Sequence, residues 1–494
     1  MKLKKSDSAA FKNFYEIVEE VSKKYTDAVA FSYSKKKERK TKTFGQTYKD
    51  IQNVISWLRQ NDLIGKKIAL IGATDYEWVV CFLAVLYSGS LVVPMNYAEN
   101  VEELQRDIEF LEVDALLYGK LDEEQVEWAN RVAKKTQDVY TVVNDTKNHE
   151  EVDFSGTSSK APACIMFTTG STGKKKGVVL SQENVIDLYE GVAETFHTEH
   201  VKGLAPLPNF HLMKMASIVF WYTAGVEQYL EGNLKRALKD IQEQKPFVVV
   251  ITPVMMDVVR NILQADGTQE SVKEKLKLFD ENLKVIITGG AFSNPDTITF
   301  FEDHGIHVNV FYGMTEAGLI SSIREDHKKQ GSVGEIFPWV ETKIVDGEIQ
   351  VKGRSIACGY YKDPEGTNAV FHDGWVHTGD LGYVDEEGYL FLTGRKKNLI
   401  ILANGENVSP EELEEQLSNC EEIQEVLVKE KNGHLHAEIF PNETSGKSRA
   451  EQEEAIETFV QNMNRENVMC KRIVSWSLRD TPFEKVNGMK IKRN

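Results

Sequence analysis

Apolar positions along this chain recur with two periods, and the alternation between them sets out an architecture. From residue 48, "YKDIQNVISWLRQND" has helical spacing; "KKIALIGA" reads as a buried strand, "YEWVVCFLAVLYSG" as a helix and "SLVVPM" as a strand. Further strand-like runs follow in "VDALLYG", "DVYTVV", "ACIMFTT", "FVVVITP", "KVIITGG" and "HVNVFYG". Strands separated by helices are wired as βαβ units, which predicts largely parallel sheets covered by helices. After about residue 330 the texture changes to short strands, "ETKIVDGEIQVKG" and "WVHTGDLGYVDEEGYLFLTG", with turn signals at "VDGE" and "DEEG". A third texture begins at "GRKKNLIILANGENVSPEELEEQL", where Ser409 is placed as an N-cap, Pro410 at the first helical position and acids in the first turn. The expected fold class is α/β. A large N-terminal domain of mostly parallel βα-layered sheets with a small β-rich subdomain occupies 1–394, and a small α+β domain occupies 395–494.

Composition narrows the function. With 494 residues, 41% hydrophobic and 27% charged, the chain has the make-up of a globular protein of two or three domains. It has no apolar run of about 18 residues to span a membrane. The start, "MKLKKSDSAAFKNFYEIVEE", lacks the apolar region of a signal peptide. The five cysteines are far apart with no CxxC, which argues against zinc and against a disulfide framework and makes a cytoplasmic location the expectation. A net charge of −17 disfavours a general nucleic-acid binder. The basic run "SKKKERKTK" at 34–42 reads as a solvated hairpin turn.

The stretch "MFTTGSTGKKKGVVL", Met166 to Leu180, packs hydroxyls, glycines and lysines between apolar runs, as a phosphate-binding loop does. The nucleotide P-loop spacing is not met. That motif needs four residues between its glycines, whereas Gly170 and Gly173 are separated by two, and "KKGVVLSQ" runs on as a strand. Taken alone, the loop is equally an ordinary basic hairpin.

Its context is more specific. "TTGSTGKKKGVVLS" is followed by "YGMTEAG" at 312–318, "HTGDLGYVDEEGYLFLTGRKKNLIILANGENVSPEELE" at 377–414 and the terminal "GMKIKR". In kind and order these resemble the motifs of the adenylate-forming enzymes, the superfamily of acyl-CoA synthetases, peptide-synthetase adenylation domains and luciferases. The resemblance covers nearly the whole chain. It implies that a carboxylate is joined to the α-phosphorus of ATP with loss of pyrophosphate, and that the acyl group then passes to a thiol.

The resemblance also implies roles. Thr168, Thr169, Ser171 and Thr172 would donate to the phosphates, Gly170 and Gly173 would let backbone close in, and Lys174 and Lys176 would add charge. Tyr312 would stack on adenine with Gly313 beside it, Thr315 would donate to the α-phosphate, and Glu316 would hold Mg²⁺. In "TGGAF", Gly289, Gly290 and Ala291 would lie against adenine or the acyl carbonyl, with a simple tight turn as the alternative. Asp380 would accept from both ribose hydroxyls, and Arg395 would reach the ribose or phosphate region. His211 in "LPNFHLM" would sit beside the carboxylate, or serve as a core histidine, while Lys214 is expected to face outward. The ending departs from the family's terminal signature at Glu484, Val486 and Met489, yet "KIKR" is retained, which makes Lys490 the adenylation lysine ahead of Lys485 and Lys492. Lys397 falls at the hinge about which the C-terminal domain would turn, bringing Gly405 to line a thiol tunnel.

Substrate identity is less legible. "HLMKMASIVFWYTAG" has no aspartate to hold an α-ammonium, and the segment around residue 405 is closest in wording to medium- and long-chain fatty acyl-CoA synthetases. The expected small molecules are ATP, Mg²⁺, a carboxylic acid and CoA. Loading of a carrier-protein phosphopantetheine remains open, as do peripheral membrane contact and a non-catalytic nucleotide-binding homologue.

Overall fold

The computed structural model describes residues 13–35, 38–144, 154, 156–169, 175–193, 201–230, 236–264, 282–291, 293–323, 328–402, 407–431, 433–443, 445–486 and 490–493. The chain divides into two compact units. The first comprises Met1–Gln330, Gly334–Glu341 and Val351–Val376; the second comprises Gly331–Val333, Thr342–Gln350 and His377–Asn494.

Two sheets carry the first unit. In the seven-stranded sheet, Pro162–Thr169, Leu91–Met95, Lys67–Ile71, Ala115–Tyr118 and Thr136–Asp138 run parallel. Lys175–Ser181 and then Gly359–Tyr360 are added antiparallel at one edge. The nine-stranded sheet is likewise parallel through its middle and ends antiparallel. Its strand His307–Met314 turns back into Gly318–Ser322, followed by Glu335–Ile336. This is the α/β arrangement expected from the two hydrophobic periods.

Interior helices explain the unbroken apolar runs. Tyr76–Tyr87 starts on Asp75, whose carboxylate accepts from Trp78 N at 2.9 Å, and all twelve of its residues are buried. Leu212–Thr223 is buried from Lys214 onward, with Tyr222 packed on Phe31 and Phe44 and its hydroxyl 3.0 Å from Ser22 Oγ. The helix that precedes both in sequence, Phe44–Gln60, opens with a reciprocal capping box of Thr43 and Gln46. No described helix is long and apolar enough to cross a membrane.

Two local expectations meet different outcomes. The basic run at 34–42 is indeed part of a hairpin, with Lys35 paired to Glu38; its turn lies outside the described residues. "DVYTVV" is not a strand. After the short strand Thr136–Asp138 the chain turns into the helix Val139–Asn144. Asp138 accepts from Thr141 N at 2.9 Å, and Val139, Val142 and Val143 are buried at helical spacing. A terminal polar cap overrides β propensity here.

In the second unit, Ile423–Lys431 and His434–Pro441 form an antiparallel pair with Ser475–Leu478 parallel beside it. The helices Pro410–Ser418 and Arg449–Glu466 cover this sheet through Leu413, Leu417 and Ile456. The "VDGE" turn has Asp346 and Gly347 at φ 51° and 77°, the left-handed pair that a two-residue hairpin turn requires. Ser409 and Pro410 stand where the capping pattern puts them, but the Ser409 hydroxyl donates to Glu411 Oε2 at 3.1 Å rather than capping the backbone.

Candidate active site residues

In the first unit the sequence motifs fall on the antiparallel edges. Thr168 pairs with Lys176 and Thr169 with Lys175, so the phosphate-loop stretch is a hairpin. Gly170, Ser171, Thr172, Gly173 and Lys174 lie outside the described residues, and of Thr169 only the strand position is described. Strand alternation sends the next two lysines to opposite faces. Lys175 is held by Asp107 at 2.7 Å and by Glu99; burial opposes its charge, but these carboxylates prevail and raise its pKa. Lys176 instead has Nζ 4.3 Å from the centre of the Tyr360 ring and 3.7 Å from Asp363.

Thr315–Ala317 form the turn between His307–Met314 and Gly318–Ser322, with Ala317 N donating to Met314 O at 3.1 Å. The pinch needs glycine, because a Cβ on Gly313 would lie 2.3 Å from Gly318 O. Thr315 is half-buried. Glu316 is buried, and its Oε1 accepts from the Tyr360 hydroxyl at 2.8 Å. Among the described residues no group of three or more His, Cys, Asp or Glu is placed to hold a metal. One buried carboxylate with a second oxygen to offer does fit Mg²⁺, which takes one or two carboxylates and completes its shell with phosphate oxygens.

Gly289 ends the strand Val285–Gly289 and pairs with Phe311, one residue before the buried Tyr312. A Cβ on Gly289 would sit 2.3 Å from Phe311 O, so this close approach also requires glycine. Gly290 follows at φ 77° with open space around it, and Ala291 is exposed. These residues lie at the carboxyl ends of parallel strands, where open α/β sheets bind ligands.

His211 heads the helix Leu212–Thr223, half-buried, its ring 4.7 Å from that of Phe210. Lys214 does not face outward. It is 2% exposed and donates from Nζ to Ala205 O at 2.5 Å. Its helix is buried on every side at that level, so the long side chain reaches back to a carbonyl instead of to water.

The second unit brings Asp380 and Arg395 together across the hairpin of Trp375–Val384 and Leu390–Arg395. Arg395 Nε lies 2.6 Å from Asp380 Oδ1. Glu348, which sequence reasoning treated only as part of a turn, is buried beside them. It accepts from Gly379 N at 3.1 Å and pairs with Lys396 at 2.9 Å. Lys397 is exposed in the short helical turn Lys396–Asn398; desolvation and the Arg395 guanidinium hold its pKa below the ordinary lysine value. Gly405 lies outside the described residues.

Lys490 opens a two-residue strand that pairs with Val486; its side chain is not among those described. Both competing lysines have carboxylate neighbours, Lys485 with Glu425 at 2.7 Å and Lys492 with Glu484 at 3.4 Å. The last described residues of the arm are anchored. Ile491 packs on Leu427, Phe440 and Phe483, and Arg493 forks onto Glu414, with Nη1 to Oε1 at 2.9 Å and Nη2 to Oε2. Arg493 also lies 3.4 Å from Glu411, which accepts from Asn398 beside Lys397.

Sequence reasoning missed Tyr360 and the segment around it. "GYYKDP" carries a signal, a glycine followed by paired aromatics and a capped Pro, but nothing in its spacing points at Glu316, forty-four residues away. Arg354–Tyr361 is a strut. Asn184 Nδ2 donates to Arg354 O and Ile356 O, Ser355 Oγ to Ala317 O at 2.8 Å, and Ala357 N to Glu316 O at 2.9 Å. Arg354 pairs with the buried Asp187 at 3.0 Å. Burial pushes Asp187 up to about 7 against the pull of Arg354.

Residues 18–361 match the AMP-binding enzyme family, and residues 397–494 match the AMP-binding enzyme C-terminal domain. The chain is 30% identical over 369 residues to the 2-succinylbenzoate–CoA ligase of Listeria monocytogenes, covering 73% of this chain and 74% of that one. It is 26% identical over 418 residues to the long-chain-fatty-acid–CoA ligase FadD15 of Mycobacterium bovis, covering 72% and 69%. The crystal structure of the anthranilate CoA ligase AuaEII in complex with anthranoyl-AMP shares the fold at a TM-score of 0.84 and 17% identity, over 99% of this chain and 97% of that one. The o-succinylbenzoate CoA synthetase of Bacillus subtilis, with its acyl-adenylate intermediate, does so at 0.79 and 22%, over 98% and 97%. This chain belongs to the AMP-binding enzyme family. It is a ligase of the adenylate-forming acid–CoA type.

Two outcomes test this description. Arg493→Ala strands the Glu414 carboxylate and is expected to lower stability by about 1.5–3 kcal/mol, the range for hydrogen bonds to charged groups. The companion double variant Arg493→Met with Glu414→Gln, which keeps an acceptor for Val428 N, should recover part of that loss in thermal melts. Asp187 binds a proton more tightly folded than unfolded, so stability should fall as pH rises from about 4 to 7 and level off above. Asp187→Asn should flatten that part of a melting-temperature profile, and an unchanged slope would assign it to another group.

Proposed function

We propose that this enzyme activates an apolar carboxylic acid, a medium- or long-chain fatty acid first, as its acyl-adenylate and then passes the acyl group to CoA. The observation that carries the nucleotide half of the reading is the convergence of Lys176, Tyr360 and Glu316 at two hairpin turns of one unit. The first step brings two anions together, so its catalysis is mainly charge neutralisation and alignment. The hydroxyls of Thr168 to Thr172 and the lysines of the loop serve the β- and γ-phosphates, and Thr315 serves the α-phosphate. Glu316 would hold Mg²⁺, which when bound would neutralise further phosphate charge. Asp380, oriented by Arg395, accepts from the ribose hydroxyls, and Tyr312 with Gly289 to Ala291 lines the adenine side. Lys490 sits with the carboxylate and α-phosphate during adenylation, and His211 heads the helix that borders the acid.

The preference for an apolar acid is supported by the fatty-acid ligase relative and by Leu212 and Met213 at the opening of the helix after His211. A second reading, an aryl acid with a polar tail, has its support in the 2-succinylbenzoate ligase relative at 30% identity. Pyrophosphate release with ATP and Mg²⁺ should be measured across fatty, aryl and amino acids, each with and without CoA. Release that depends on a fatty acid and rises with CoA supports the first reading, and selective use of 2-succinylbenzoate supports the second. Adenylate without acyl-CoA would move the acceptor to a carrier-protein phosphopantetheine.

The C-terminal domain, 395–494, is proposed to turn about Lys397 between half-reactions, withdrawing Lys490 and presenting Gly405 to the thiol. Lys490→Ala should then slow adenylation about 100- to 1,000-fold, as loss of a transition-state donor does. Lys397→Pro should slow thioester formation from preformed acyl-adenylate far more than it slows adenylation. Equal losses in the two half-reactions for Lys397→Pro would remove the hinge assignment.

A further inference from the structure

Tyr360 touches both the phosphate-loop hairpin and the acidic turn through a single side chain. Its backbone is fixed on three sides. Gly359 and Tyr360 pair with Val179 and Val178, Tyr360 N donates to Thr367 Oγ1 at 2.9 Å, and Tyr361 N donates to Gly177 O at 2.7 Å. The ring meets Phe371 edge-on at 5.7 Å and lies under Lys176 Nζ at 4.3 Å. The hydroxyl donates to Glu316 Oε1 at 2.8 Å. A carboxylate can only accept, so the phenol hydroxyl is the donor of this pair.

The physical consequence follows from what each contact restrains. A carboxylate with one oxygen engaged by a fixed donor has its plane set and offers the other oxygen in a defined direction. Outer-shell donors of this kind usually change metal affinity or activity about 10- to 100-fold when removed. A lysine over an aromatic face is held by a weak attraction of about 0.5–2 kcal/mol, enough to orient the ammonium and small enough to yield to a phosphate. Asp363, at 3.7 Å, adds a second weak hold.

We propose that Tyr360 is a positioning residue that sets the Glu316 carboxylate for its metal and parks Lys176 at the phosphate loop, coupling metal binding to nucleotide binding through one side chain. This rests on the reading of Glu316 as the metal carboxylate. Tyr360 itself contacts neither substrate nor metal in this scheme.

The test compares the affinity for ATP with and without Mg²⁺ by calorimetric titration, so that the ratio of the two isolates the metal's contribution. Tyr360→Phe keeps the ring and removes only the donor. It should shrink the Mg²⁺ enhancement at least tenfold, leave ATP affinity in EDTA near the parent value and melt near the parent. Tyr360→Leu, which also removes the ring, should in addition weaken ATP binding in EDTA. Glu316→Gln separates the two layers of the argument. Where Glu316→Gln collapses the enhancement and Tyr360→Phe leaves it intact, the inference about Tyr360 fails and the metal assignment stands. Where Glu316→Gln also leaves it intact, the metal assignment itself fails. Should Tyr360→Phe prove unstable, Lys176→Met tests the other arm: it should weaken ATP binding in EDTA without changing the Mg²⁺ enhancement. Loss of that enhancement in Lys176→Met would contradict the division of labour.

Discussion

The arrangement depends on how a parallel sheet is brought to an end. Parallel strands need long crossovers, whereas an antiparallel return needs only a short turn. In the first unit each large sheet runs parallel through its middle and then closes with such a return, Lys175–Ser181 in one and Gly318–Ser322 in the other. The acidic turn projects from the carboxyl end of a parallel strand, the end at which α/β sheets bind their ligands, and the strand Pro162–Thr169 presents the same end. Hydroxyls and lysines are on one turn and Thr315 with Glu316 on the other. The edge strand Gly359–Tyr360 then pairs with the phosphate-loop hairpin while its neighbours Ser355 and Ala357 bond to the acidic turn. Two hairpins distant in sequence are thereby bonded to one segment.

Charge is sorted by the same geometry. The three lysines of "KKK" look equivalent in sequence, yet strand alternation places Lys175 in a carboxylate pair and Lys176 on an aromatic face. A lysine fixed by Asp107 and Glu99 has its charge already neutralised. Lys176, on a ring with Asp363 at 3.7 Å, is held more weakly. The buried Lys214 is a third case, satisfied by the Ala205 carbonyl inside an apolar helix layer.

The second unit distributes carboxylates to similar effect. Glu348 gathers Gly379 N and Lys396, Asp380 takes Arg395, and Glu411 accepts from Asn398 while lying close to Arg493. The residues around Lys397 and the residues around Lys490 thus share an acid. Ile491 supplies the apolar anchor that lets the short arm hold its register.

Much of this was legible in the residues themselves. Hydrophobic period determined the helices Phe44–Gln60 and Tyr76–Tyr87 and the parallel strands, because burial of one face or all faces is written into spacing. The sequence sets Gly289 against a ligand or in a tight turn; the contact that demands glycine there and at 313 is a carbonyl of the same sheet, 2.3 Å from where a Cβ would lie. The motif order announced the family. What spacing cannot encode is contact between segments far apart in the chain. "DVYTVV" became a helix because Asp138 caps it, and Asp380 met Arg395 because a hairpin register aligned them. Tyr360 reached Glu316 because an edge strand was added beside the phosphate-loop hairpin. Local pattern chose the elements; which side chains came to share a proton or a charge was decided only when the sheets closed.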